Sequence, residues 1–393
     1  MNPIAHITSP RKPWAEWLLI FVFATLLWLP TLDFFCDIDP TDPAGENRLP
    51  APEPRLTQLN VSGIKHFLAA SELYFNDHFG FRNRLIRWFQ QWKLRLFHDP
   101  SVRKAILGQN GWLFRGEEQM VEHYLGIAKF TPEQLKSWQT LLEKRRDWLA
   151  QRGIKYLFVI APDKQTIYSE ELPIWLLNAA PTNRETKLDQ FLQYMNAHST
   201  VEILDLRQPL ISAKTTAPTY LQNDTHWNSF GSFIACQELI KTLAKQFPDL
   251  PPLRLQDFTW TNAAYNGGDL TQMLGLDQQE KNYFVFQPGP TLPSLQITEN
   301  PAYKSNWGIK RVSTVENAAT RQGKLVLFND SFGGSWIPWL GQSFQRTVLE
   351  WESRDFNTPL ISTNAPDVVI NEMLECFFYI RDPQEILTKD ALP

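Results

Sequence analysis

Two short segments carry polar residues of the type and spacing that nucleophilic chemistry needs. In KLVLFNDSFGG, residues 324–334, an apolar strand pattern runs into Asn-Asp-Ser and then into glycines. A serine on such a strand-to-helix turn exposes its hydroxyl at the carboxyl end of a sheet. Backbone N–H groups of the next turn, near Ser331 and Phe332, face the same spot and can hold an oxyanion. Ser331 is therefore a candidate nucleophile, although Ser and Asp are also the residues that cap helices, and the segment alone fits that plainer role too. A serine hydroxyl needs a base within reach, and the base needs an orienting group. Asp224-Thr225-His226-Trp227, in the segment QNDTHWNSFG before a predicted helix, supplies both. In an extended stretch residues i and i+2 project to one side, so Asp224 can meet Nδ1 of His226 and leave Nε2 for Ser331. The competing reading is a capping Asp224 and a packed His226. The other histidines, His6, His66, His78, His98, His123 and His198, form no H-x-x-x-H pattern and no His/Cys cluster. Neither a metal nor a cofactor is expected. Asp77-His78 is the one rival acid–His pair, and its place in a helical stretch reads as a tertiary docking motif.

These residues need elements to hold them. Thr131-Pro132-x-Gln134 has the form of a capped helix start and Gly153 that of a helix end, which predicts a helix over 132–151. KYLFVIA at 155–161 reads as a buried strand, followed by a helix near 183–197, a strand at 201–206 and a helix over 229–244. Further strands are predicted at 324–329, 347–351 and 367–371. This alternation predicts an α/β domain with a mostly parallel sheet, in which an Asn-Gly turn in QNGWLF, 109–114, leads into an aromatic strand-like piece. Residues 250–322 read as a long surface excursion of the kind that walls active sites.

The chain has 393 residues, 43% hydrophobic and 20% charged, with a formal net charge of −4. That offers no basic field for a nucleic-acid backbone. Arg11 and Lys12 precede an uncharged apolar run from Trp17 to Leu32, and Asp33, Asp37 and Asp39 follow it. The run is short for a span of about 20 residues. No small-residue cleavage site follows it, so an uncleaved anchor is expected rather than a signal peptide, with a cytoplasmic stub and the rest exported. The expected organisation is stub and anchor over 1–36, a Pro-rich acidic tether over 37–56, a helical arm over 57–105 and the main domain over 106–393. Of the three cysteines, Cys36 lies at the membrane edge, and Cys236 and Cys376 read as buried thiols, with a bridge between them the alternative.

ENRLP at 46–50, NDHFGFR at 76–82, GQNGWLF at 108–114, APDKQTIYSEELP at 161–173, DTHW at 224–227, GGDL at 267–270 and NDSFG at 329–333 occur in this order. As an ordered set they resemble the alginate O-acetyltransferase family of cell-surface polysaccharide acetyltransferases, over about 46–376. The resemblance implies an SGNH-hydrolase-like three-layer α/β/α domain of permuted topology, with Asp224, His226 and Ser331 as its triad. It also implies acetyl transfer through an acyl-serine to a polysaccharide hydroxyl, inner-membrane anchoring with the main domain in the periplasm, and a membrane-bound O-acyltransferase as donor partner. Asp163, Lys164 and Tyr168 match the family's P-D-K…Y stretch. Lys164 and Tyr168, with Asn371 at the end of its predicted strand, are the candidate substrate contacts, although Lys164 fits equally a pairing with Asp163 or a cap on the strand end. Two departures stand out: Asn329 replaces the Gly of ordinary SGNH hydrolases, and Glu375-Cys376 stands where the family usually has Glu-Arg. The alternatives are a polysaccharide acetylesterase with the same triad and a non-catalytic glycan-binding assembly protein.

Overall fold

The computed structural model describes residues 13–36, 38, 51–56, 58–82, 84, 85, 88, 105–117, 119–266, 268–274, 279–288, 294–305, 308–319, 323–352, 354 and 356–390. Those up to Trp88, with 272–274, form one compact unit, and the remainder from 105 onward form the other.

In the first unit the apolar run extends into a helix, α1, over Pro13–Cys36. Its Glu16–Cys36 portion is long and apolar enough to cross a membrane. The helix is thus longer than the uncharged run and carries Asp33 inside it, where the Asp33 Oδ2 accepts the Phe81 N–H at 2.6 Å. Part of the expected tether, 51–56, lacks regular structure. The arm begins with α2 over Val61–Asp77, capped by Asn60. The remaining arm positions Phe89, Trp92, Leu94 and Leu96 lie outside the described residues. The Asp77-His78 pair does not form an acid–base couple. Asp77 accepts the Ala51 N–H at 2.8 Å, and His78 bonds the Tyr74 carbonyl and stacks on the Tyr74 ring.

The second unit is built on a seven-stranded sheet with β1 and β2 outside it. The strands are β1 (Ala105–Leu107), β2 (Leu113–Arg115), β3 (Lys155–Ala161), β4 (Ile203–Asp205), β5 (Phe258–Asn266), β6 (Gln279–Pro288), β7 (Gln296–Ser305), β8 (Gly308–Glu316), β9 (Lys324–Asn329), β10 (Arg346–Trp351) and β11 (Val368–Leu374). The main sheet has the order β4-β3-β11-β9-β10-β8-β7. Its first five strands are parallel, while β8 and β7 add antiparallel at the β10 edge. Side chains of β3 alternate between two cores, with Leu157, Val159 and Ala161 on one face and Tyr156, Phe158 and Ile160 on the other. A strand buried on both faces reads as a continuous apolar run for this reason.

Thr131 and Gln134 form the expected capping box, and the helix runs over Pro132–Ala150. The Asn-Gly turn joins β1 to β2, with Asn110 and Gly111 at φ 53° and 81°. The segment 250–322 departs from expectation. It supplies β7 and β8 to the main sheet and a separate β5–β6 pair. The strand pattern is hidden in β8, GIKRVSTVE, which carries Lys310 and Arg311 where a buried run would be apolar. Lys310 is buried there because it pairs with Glu352 at 3.1 Å. Cys236 and Cys376 are both buried free thiols.

Candidate active site

Strand β9 ends at Asn329, and Asp330 caps the one-turn helix Ser331–Gly334 by accepting the Phe332 N–H at 3.0 Å. Its other oxygen accepts the Leu374 N–H at 2.8 Å, which fixes the turn to the end of β11. Glu372, fully buried on β11, accepts from the N–H of both Asp330 and Gly333, at 3.0 and 3.2 Å. A Cβ on residue 333 would stand 2.6 Å from that carboxylate oxygen, so the glycine of NDSFG is required by contact. Burial and the neighbouring Asp330 charge push the Glu372 carboxyl well above the usual range while its Oε2 clamps the turn through the two N–H groups.

The second segment is a tight loop between residues 219 and 228. Tyr220 bridges Trp227, and the Leu221 and Asn228 N–H groups bond the carbonyls of His226 and Thr219. Asn228 then caps the helix Ser229–Ala244. Trp227 locks the loop to the nucleophile turn. Its ring packs against Phe332 and Trp336, and its Nε1–H donates to Ser335 Oγ at 2.8 Å.

Asp224, His226 and Ser331 meet in a line. His226 Nδ1 is 2.7 Å from Asp224 Oδ1, and Nε2 is 2.8 Å from Ser331 Oγ. With Nδ1–H donating to the carboxylate, Nε2 is left to accept the serine hydroxyl proton. Burial alone would disfavour the charged imidazole, but the hydrogen bond and charge of Asp224 outweigh it and hold His226 above the usual histidine value. Asp224 itself is pulled well below the carboxylate range by His226, against the effect of burial. This arrangement can activate a serine for attack on an acyl carbon and stabilise the imidazolium that results.

Asp269, in the GGDL segment, packs against the Asp224–His226 pair. Its Oδ1 accepts the Thr225 N–H at 2.7 Å, and its own N–H donates to Asp224 Oδ2 at 3.2 Å. Gly268 before it lies so close to Asn223 that a Cβ would meet the carbonyl oxygen at 2.1 Å. Asp224, His226 and Asp269 offer ligand atoms within 4.8 Å of one another. Asp224 Oδ1, however, already accepts from the backbone and ring nitrogens of His226, and Oδ2 from Asp269. The cluster reads as a hydrogen-bonded relay.

The candidate substrate contacts are placed elsewhere. Lys164 is 2% exposed, and its Nζ donates to the carbonyls of Leu221, Gln222 and Asp224 at 3.1, 3.2 and 2.6 Å. It staples the triad loop from behind, because a buried ammonium must spend its protons inside the protein. Tyr168 is also buried, its hydroxyl accepting the Thr219 N–H at 2.8 Å. Asn371 is fully buried and its Oδ1 accepts from Arg145. None of the three reaches the Ser331 hydroxyl. The expected oxyanion donors are also fewer: Phe332 N–H is taken by Asp330 and Gly333 N–H by Glu372, which leaves the Ser331 N–H, with no intrahelical acceptor. Asp163 lies beside Glu375, whose Oε2 accepts its N–H at 2.8 Å, and Cys376 is buried next to them.

A mostly parallel sheet with Ser, His and Asp gathered at its carboxyl edge defines an SGNH-hydrolase-like domain. Residues 105–301, half of the chain, match the family described as "SGNH hydrolase-like domain, acetyltransferase AlgX", and the chain belongs to that family. It is 27% identical over 211 residues to the probable alginate O-acetylase AlgJ of Pseudomonas syringae pv. tomato, covering 53% of this chain and 50% of that one. It is 28% identical over 174 residues to the protein of the same description from Azotobacter vinelandii, covering 44% and 42%. The chain thus matches about half the length of these curated relatives, or less. Among solved structures, PatB1 of Bacillus cereus aligns with a TM-score of 0.51 at 17% identity, over 71% of this chain and 98% of that one. A DHHW family protein from Eubacterium siraeum aligns with a TM-score of 0.51 at 14% identity, over 74% and 95%. These two share the fold.

Proposed function

We propose that the chain is a membrane-anchored O-acetyltransferase that moves an acetyl group onto hydroxyls of an exported polysaccharide through an acyl-Ser331 intermediate. The observation that carries the reading is the relay from Asp224 through His226 to Ser331, at 2.7 and 2.8 Å. His226 Nε2 takes the proton as Ser331 Oγ attacks the acyl carbon of the donor, and the tetrahedral oxyanion faces the Ser331 N–H. Collapse expels the donor's leaving group, which receives the proton from His226. A sugar hydroxyl then enters, gives its proton to His226 and attacks the acyl-serine. The second collapse releases the acetylated sugar and returns the proton to Ser331 Oγ.

Supporting the polysaccharide acceptor are the alginate O-acetylase relatives. The helix Glu16–Cys36, with basic residues before it and acidic ones after it, supports a single-pass inner-membrane anchor with the main domain in the periplasm. On this reading the acetyl group arrives from a membrane-bound O-acyltransferase. Mass spectrometry of the purified chain incubated with an activated acetyl ester tests the nucleophile, with Ser331→Ala beside it. Acetylation confined to Ser331 and lost in the variant is expected, and an unmodified Ser331 refutes the reading. Adding a polysaccharide acceptor separates transfer from hydrolysis: free acetate with no label on the acceptor makes the protein an esterase.

A further inference from the structure

The first unit contains a groove that the acetyl-transfer reading does not use. It encloses about 520 Å³ and is lined by Leu26, Leu29 and Pro30 of α1 and by Phe81, Arg84, Leu85 and Trp88. The size is that of a small-ligand site and the lining is almost wholly apolar.

The turn that forms this groove is fitted to α1. Gly80 lies against the helix so closely that a Cβ there would stand 2.1 Å from the Pro30 carbonyl oxygen, so only glycine fits. Phe81 follows at φ 57°, a left-handed conformation that a bulky side chain adopts at a cost. Its N–H is held at 2.6 Å by Asp33, which is 3% exposed. A buried carboxylate and a strained backbone are both costly, and here each is satisfied by the other.

The depth of the groove decides what can fill it. The Glu16–Cys36 portion has 21 residues, about 31 Å of helix and so about the thickness of a bilayer's hydrocarbon core. Asp33 lies toward its Cys36 end and marks the level of Phe81. Leu26, on the other side of the groove, is seven residues or about 10 Å further into the span. A cavity walled by Leu26 and Leu29 of a spanning helix opens among lipid tails. In a bilayer the species available to it is an acyl chain. Arg84 lines the groove and Arg82 follows Phe81 on the same turn, positive charge that favours an anionic headgroup above the chain.

We propose that this groove seats an acyl chain of an anionic phospholipid in the leaflet at the Cys36 end of α1, with Leu85 and Trp88 entering that leaflet beside the span. This rests on the reading of α1 as a membrane anchor. Beyond tethering, such a seat would bind the arm to the membrane plane at a second point, so that α1 and the arm enter the bilayer as one hairpin.

The test uses the full-length chain in vesicles of phosphatidylcholine with and without phosphatidylglycerol. In a Cys36→Ser background, with the buried Cys236 and Cys376 left in place, single spin labels go on Phe23→Cys, Leu85→Cys, Trp88→Cys and Lys241→Cys. Collision with oxygen, which concentrates among acyl chains, is compared with collision with a water-soluble nickel chelate. Labels at 85 and 88 are expected to match the oxygen-dominated behaviour at 23 and to invert relative to 241, more strongly when phosphatidylglycerol is present. If 23 shows lipid contact while 85 and 88 behave like 241, the seat is refuted and the anchor stands. Nickel-dominated collision at 23 as well refutes both.

Discussion

Replacing Lys164 by methionine separates a substrate contact from a staple on the Asp224–His226 loop, because it keeps the apolar stem and removes only the ammonium. In the native protein that ammonium donates to three carbonyls of the triad loop, and aromatic rings of Trp112 and Phe114 lie 5.7 and 5.4 Å from it. Hydrogen bonds from a charged donor contribute about 1.5–3 kcal/mol each. Because the three share one donor they do not add, and a net loss of about 3 kcal/mol is expected. For a domain of about 290 residues that lowers Tm by about 5 °C. One of the three acceptors is the carbonyl of Asp224 itself, so the loop should also lose its register with Ser331. A displacement of about 1 Å in a catalytic group costs about 100-fold in rate. The expected result for Lys164→Met is therefore a lower Tm, measured by calorimetry, and a fall in the rate of Ser331 acetylation with little change in KM for the acceptor. A parent-like Tm with a raised acceptor KM would mean that Lys164 touches substrate, and the staple argument would be wrong.

The acid limb of the acetylation rate should lie above the ordinary histidine value, since Asp224 raises His226. Below its raised pKa the imidazole is protonated and cannot take the serine proton, so activity is lost as pH falls through it. Asp224→Asn should move this limb down and slow acetylation by about 10³–10⁴-fold, as the loss of the acid does in serine triads; a pH–rate profile with an unmoved limb refutes the pairing. Glu372→Gln should cost less than about 1 kcal/mol in urea unfolding, because burial already disfavours the charged carboxyl and an amide oxygen can accept the same two N–H groups. Glu372→Ala should cost about 3 kcal/mol or more by leaving those donors unpaired, and equal losses for the two would show that the clamp is ionised. Gly333→Ala should lower Tm and slow acetylation together, since its Cβ would press on Glu372 and on Asn329 Cβ at 2.6 and 2.8 Å; a parent-like variant would mean that the turn can give way.

What was legible in the sequence follows from how locally each feature is determined. The helix over 229–244 and the strands at 155–161 and 324–329 match their expected bounds, because a cap or a continuous apolar run in the segment itself specifies them. The Asp224–His226 pairing was legible because the two side chains are only two positions apart, although they meet on the bends of a tight loop rather than on an extended stretch. The long surface excursion was misread because pairing of β8 with β10 is a non-local choice. A strand with Lys310 and Arg311 can join the sheet only because Glu352, supplied far along the chain, takes the charge of Lys310. The burial of Lys164 was hidden in the same way, since its three acceptors are backbone carbonyls, which no residue type reports. Glu372 and Asp269 illustrate the general point. Each holds the segments that carry Asp224, His226 and Ser331 through backbone N–H groups, so its place in the site is set by strand register and loop closure. A search for acids and bases at catalytic spacing finds Asp224, His226 and Ser331, which the proposed mechanism uses, while those that hold the turn in shape come into view only when the sheet is assembled around them.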